Sequence, residues 1–135
     1  MSLEQKNIAQ QIGQYKFARL PAWFKEGLAV IVSNGGGAQN VTESQAIEAF
    51  KKGKYFVPNT KGGIFIRKYG YYWDLSPHLF YRQSMMFVRY LKEKNEKKYR
   101  NLLLNIQDGA SFIKSFNNAF DDDLMNIWND FFRIK

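Results

Sequence analysis

The stretch Leu20-Pro21-Ala22-Trp23-Phe24-Lys25-Glu26-Gly27-Leu28-Ala29-Val30-Ile31-Val32-Ser33 decides how this chain folds. Proline suits the first turn of a helix, where its missing N–H costs nothing, and no breaker follows Pro21 until Asn34-Gly35-Gly36-Gly37. The expectation is a helix of about three turns. On its wheel Glu26 shares a face with Ala22, Trp23, Ala29, Val30 and Ser33, while Phe24, Gly27, Leu28 and Ile31 cover the opposite side. Only Lys25 clearly calls for water. A helix apolar nearly all round is a central one, and a carboxylate buried in it needs a cation, a metal or several hydrogen bonds to offset its desolvation.

Upstream, Glu4 to Ile12 reads as a short helix with Ile8 and Ile12 one turn apart and Gly13 as its stop. Tyr15 to Leu20 then serves as a linker. Downstream, the glycines at 35 to 37 form a loop and not a phosphate cradle, because no Lys-Ser or Lys-Thr follows them. Thr42 and Gln45 make a capping box for a helix through Phe50, which Lys51-Lys52-Gly53-Lys54 ends, the cations lying against the negative end of its dipole. From residue 54 to 73 the texture turns to glycine, aromatic and β-branched residues, and a small irregular or β insertion is expected there.

Ser76-Pro77 opens another helix, with Phe80, Ser84, Phe87 and Leu91 on one stripe and Lys92 to Lys98 as its solvated end. Leu102, Leu103, Leu104 and Ile106 read as a short helix ending near Asp108-Gly109. Ser111 caps the next, carrying Phe112, Ile113, Phe116 and Phe120. Asp121-Asp122-Asp123 lacks the alternating ligands and central glycine of a calcium loop and reads as the acidic start of a last helix, with Leu124, Ile127, Trp128 and Phe131 inward. The whole is a mainly α single domain spanning residues 1–135.

Composition narrows the function classes. Apolar residues are 45% of 135 and aromatics 17%, enough for one aromatic-rich core and too many for a disordered chain. No apolar run approaches a membrane span, and Met1 to Ala9 is too polar for a signal peptide, so a soluble chain is expected. Zero cysteines exclude disulfides and thiolate zinc sites. The net charge of +8 is concentrated: Glu48 to Arg100 holds 13 Lys or Arg against 4 Asp or Glu. Such a surface attracts anions or serves solubility. Nucleic acid is not the expected partner.

Trp23-Phe24-Lys25-Glu26-Gly27-Leu28-Ala29 resembles the W-x-x-E-G-x-A segment of the gluzincin, or peptidase MA-like, zinc metallopeptidases. Tyr81-Arg82-Gln83-Ser84 followed by Phe87-Val88-Arg89-Tyr90-Leu91 is similar to that family's Y-x-Q-S and F-V-x-Y-L helix, and the likeness extends through Gly109-Ala110-Ser111-Phe112 to Trp128. The resemblance implies that Glu26 is the third zinc ligand and that the Tyr81 hydroxyl donates to the oxyanion of peptide hydrolysis. It also makes Trp23 and Tyr72 candidate cleft aromatics. Core packing is the alternative for these aromatics and for Tyr81. The family's H-E-x-x-H is absent and the single histidine is His78, which reads as a surface or capping residue.

The chain is therefore expected to be the C-terminal fragment of a larger metallopeptidase-like domain, with Met1-Ser2-Leu3 a leader joined to an internal start. In the intact parent, zinc and a peptide or protein substrate are implied; this chain alone is expected to bind no zinc and to be inactive. Without metal, pairing of Glu26 with Arg82 or Arg89, seven apart on one helix face, is the physical alternative to zinc. The alternative function is a non-catalytic helical module presenting Lys51, Lys52, Lys54, Lys97 and Lys98 as one basic face to an acidic or polyanionic partner.

Overall fold

A computed structural model describes residues 2–60 and 75–134, the side chains of Gln14 and Tyr15 excepted. Among these residues the chain forms eight helices and no strand: α1 Leu3–Gln10, α2 Gln14–Ala18, α3 Ala22–Val32, α4 Glu43–Lys51, α5 Pro77–Lys94, α6 Glu96–Gln107, α7 Phe112–Phe120 and α8 Leu124–Arg133. The mainly α class follows. Tyr55 to Thr60 has no regular structure, and the rest of the anticipated insertion lies outside the described residues.

Local chemistry sets most boundaries. Ser2 and Gln5 form a capping box on α1, and Thr42 and Gln45 form the one anticipated on α4. Ser76, Ser111 and Asp123 cap α5, α7 and α8 through their side-chain oxygens, with Pro77 opening α5. Helix α3 ends in a Schellman arrangement: Asn34 turns left-handed at φ 57°, Gly35 N–H donates to the Val30 carbonyl at 2.8 Å, and Asn34 N–H donates to Ile31 at 3.2 Å.

Two boundaries differ from expectation. The stretch from Tyr15 to Leu20, read as linker, is helical in its first part: α2 runs over Gln14–Ala18, and its Phe17 packs against the core. The charged segment after Leu91 is not one helical end: Asn95, at φ −164° and ψ 104°, terminates α5 and caps α6 with its side chain, which accepts from Lys98 N–H. The anticipated short helix at Leu102 to Ile106 is thereby twelve residues long.

Helices α3 and α5 lie antiparallel at the centre. Trp23 meets Phe87 with ring centroids 5.1 Å apart, Gly27 faces Ser84 and Val88, and the loop beyond α3 reaches His78 and Tyr81. Gly27 makes this approach possible. A Cβ built on it would stand 2.6 Å from the Ser84 carbonyl oxygen and 2.7 Å from Val88 Cγ2, inside any tolerable contact. Around this pair an aromatic core closes: Phe56 lies 4.9 Å from Trp128, Phe87 5.2 Å from Phe131, and Phe112 5.7 Å from Trp23. Offset and edge-on geometries of this kind add about 0.5–1.5 kcal/mol per pair beyond burial.

Two stability predictions arise from this packing. Gly27→Ala improves helix propensity by about 1 kcal/mol but forces a backbone carbonyl aside, and is expected to destabilise by about 1–2 kcal/mol net, with Gly27→Val worse, in urea unfolding. Tyr99 is fully buried with no hydrogen-bond partner for its hydroxyl among the described residues, and burial pushes its phenol well above the ordinary range. Tyr99→Phe is expected to leave stability unchanged or raise it by up to about 1 kcal/mol, since an orphaned hydroxyl carries a desolvation cost; a clear loss on chemical unfolding would reveal a hidden partner.

Candidate functional site

Glu26 is set by the helix that bears it. The α3 face packed on α5 and the core holds Ala22, Trp23, Phe24, Gly27, Leu28 and Val30. Ala29 and Ser33, expected beside Glu26 in the interior, are instead exposed, so α3 is open along one edge. The wheel gives relative positions around a helix; which side meets water depends on where α5 docks. Glu26 lies at the border, half-buried.

Neither anticipated arginine reaches it. Arg82 Nε donates to the Val41 carbonyl at 2.7 Å and its Nη2 to Ala38 at 2.9 Å, so its fork holds the loop between α3 and α4. Arg89 forms a bidentate pair with Glu43 on α4, at 2.5 and 2.7 Å, and lies 3.9 Å from Glu93. The expectation that one of them seals Glu26 is corrected on this geometry: both arginines face α4 and its preceding loop. Among the described residues Glu26 has no hydrogen bond and no ion pair. Desolvation by burial raises its carboxyl above the ordinary carboxylate value, and the charge of Lys25 partly offsets this.

Tyr81 is half-buried in the second turn of α5, with its ring against Gly37 and 6.3 Å edge-on from His78. Gly37 holds φ +88°, a conformation other residues rarely adopt, and a Cβ there would lie 3.6 Å from the Tyr81 ring. His78 Nδ1 is 2.9 Å from the Gly37 carbonyl oxygen and Nε2 is 3.4 Å from Asn40 Nδ2. A tautomer protonated on Nδ1 satisfies both, donating to Gly37 and accepting from Asn40. His78, Tyr81 and Arg82 thus grip residues 37 to 41 from the start of α5. The capping reading of His78 had the right residue, but its partners come from the loop before α4.

Trp23 donates its indole N–H to the Asn59 carbonyl at 2.8 Å and is buried between Phe24, Phe56, Phe87 and Phe112. Its packing explains it fully. Tyr72 lies outside the described residues. Lys51, Lys52 and Lys54 are exposed where α4 ends; Gln83 binds the Lys54 carbonyl at 2.9 Å and so fixes that end beside the first half of α5. Lys97 and Lys98 stand beyond its other end, about 18 Å further along α5 at 1.5 Å per residue, with Lys98 Nζ 3.4 Å from the Phe120 carbonyl. The two groups of lysines thus stand toward opposite ends of α5.

No three His, Cys, Asp or Glu side chains converge as metal ligands among the described residues. One cavity lies against α2 and the turn between α6 and α7 and another between α1 and α3, and the described residues that line these include neither Glu26 nor Tyr81. No helix among the described residues is long and apolar enough to cross a membrane. Comparisons with protein-family models, with curated proteins and with solved structures return no match.

The isolation of Glu26 predicts a pH signature. With the carboxyl value raised in the folded state, the native chain holds the proton more tightly than the unfolded one, so its contribution is fully present below the unfolded value near 4.5 and is lost as pH rises through the raised folded value. Glu26→Gln is expected to remove that loss, making the variant equal or superior in stability at neutral pH while converging with the parent in acid. Paired unfolding curves across pH check it; a variant less stable at neutral pH contradicts it.

Proposed function

We propose that this chain is the distal helical part of a gluzincin-like metallopeptidase domain, with Glu26 presented as a carboxylate ligand whose companions come from outside residues 1–135. The observation that carries the reading is Glu26 itself. It is half-buried, raised by desolvation and without a partner among the described residues, on a helix whose next residue, Gly27, permits the close approach of the Tyr81 helix. A structural carboxylate at such a position is ordinarily paired. The juxtaposition of the Glu26-Gly27 helix with the Tyr81-Arg82-Gln83-Ser84 helix also gives the two resembling segments a common physical reason, since Ser84 lies where Gly27 leaves room.

Peptide hydrolysis belongs to the intact parent, and the isolated chain is expected to be inactive. Tyr81 is the proposed donor to the oxyanion, its ring steadied by Gly37. A basic-faced module is the weaker reading, because Lys51, Lys52 and Lys54 lie far along α5 from Lys97 and Lys98.

Extending the chain with the residues its gene encodes before Glu4 tests the proposal. The extension is expected to supply H-E-x-x-H and to bring stoichiometric zinc by metal analysis, with Glu26→Ala lowering the affinity at least about tenfold. An upstream sequence without histidine pairs, or zinc held equally well by Glu26→Ala, overturns it.

A further inference from the structure

Asn34-Gly35 is the single Asn-Gly pair in the sequence, the dipeptide in which an asparagine side chain is least shielded from the next backbone nitrogen, because glycine carries no side chain to stand in the way. The structure places it at the end of α3. Asn34 is exposed and left-handed at φ 57°, and Gly35 follows at φ 99°. The nitrogen that would attack is occupied: Gly35 N–H donates to the Val30 carbonyl at 2.8 Å, closing the Schellman turn, while Asn34 N–H donates to Ile31 at 3.2 Å. Ser33 braces the same turn, its hydroxyl donating to the Ala29 carbonyl at 2.8 Å and accepting from Gly36 N–H at 3.0 Å.

An asparagine in this setting has a defined covalent route. The Gly35 nitrogen loses its proton and bonds to Asn34 Cγ, the Cγ–Nδ2 bond breaks, and ammonia leaves carrying that proton. Water then opens the succinimide ring at either carbonyl, giving an aspartyl or an isoaspartyl residue, so the net change is one ammonia lost and one water gained. While Gly35 N–H is held by Val30, the nitrogen neither gives up its proton nor turns toward Cγ, and the step waits for the last turn of α3 to open. We propose that Asn34 is a modification site of this chain, a spontaneous deamidation site gated by the Schellman hydrogen bond at the end of α3. Either product sets a carboxylate against the negative end of the α3 dipole, and the isoaspartyl form adds a carbon to the main chain of the turn. The turn leads directly into the loop that His78 and Arg82 hold, so modification loosens α3 and that loop together. The inference does not depend on the peptidase reading.

Incubation of the full chain in mildly alkaline buffer, folded or unfolded in guanidinium chloride, followed by peptide mass mapping, tests it. Conversion reads as a gain of about 1 Da in the peptide carrying Asn34, together with isoaspartyl content. Isomerisation at Asp108-Gly109 leaves the mass unchanged and so is told apart. The unfolded chain is expected to convert at Asn34 at least about tenfold faster than the folded one. Ser33→Ala removes the brace without touching the pair, and is expected to raise the folded rate, relative to its own unfolded rate, about threefold or more. Asn34→Gly keeps the left-handed turn and is expected to abolish the mass gain, while Asn34→Asp, which carries the carboxylate of the product, is expected to have a lower thermal midpoint than Asn34→Gly. Equal rates in folded and unfolded chains, a Ser33→Ala ratio unchanged from the parent, a mass gain that persists in Asn34→Gly, or an Asn34→Asp chain as stable as Asn34→Gly would each overturn the inference.

Discussion

The close contact of α3 with α5 at Gly27 is the constraint on which the rest of the structure depends. A glycine inside a helix sacrifices about 1 kcal/mol of propensity relative to alanine, and here that sacrifice lets a backbone carbonyl, that of Ser84, occupy the space of a side chain. The consequences spread along both helices. Trp23 comes against Phe87, and through Phe87 against Trp128 and Phe131, while the far end of α5 reaches the loop that leaves α3. Three side chains of α5, His78, Arg82 and Arg89, then fasten that loop and α4 by hydrogen bonds and a bidentate ion pair.

The same docking leaves Glu26 where it is. Because α5 takes up both arginines toward α4, the carboxylate on the neighbouring edge of α3 keeps, among the described residues, no cation beyond the adjacent Lys25. A group so placed costs stability in the folded chain, and burial at the border of the core raises its proton affinity. Tyr99, buried with no partner for its hydroxyl among the described residues, shows that packing can orphan a polar group too; Glu26 differs in being a carboxylate next to Gly27, where α3 and α5 meet closely.

Much of this was legible in the sequence because it rests on short-range chemistry. Pro21 and Asn34-Gly35 bound α3, Thr42 with Gln45 opens α4, Ser76-Pro77 opens α5, and Asp123 starts α8, each through an interaction within a few residues. Asn95 was harder to read: its neighbours all favour helix, and its double role as terminator and cap depends on an extended backbone forced by the turn from α5 to α6. The partners of Arg82 and Arg89 were not legible, since helical spacing places both on a face without saying which element covers that face. Gly27 did carry a signal, a small residue among large apolar ones in a central helix, but the carbonyl it admits belongs to a residue far along the chain. The cavity beside Lys16 and Arg19 had none, because its wall is assembled from α2, α6 and α7 and its first contributor was read as linker.

The most direct measurement is the titration of the Glu26 side-chain carboxyl by NMR in the chain as it stands, assigned by its disappearance in Glu26→Gln. The account predicts a midpoint above the ordinary carboxylate value, as desolvation without a partner requires. A midpoint at or below that value would mean that a cation or a set of hydrogen bonds holds the charged form, and Glu26 would then be an ordinary structural carboxylate.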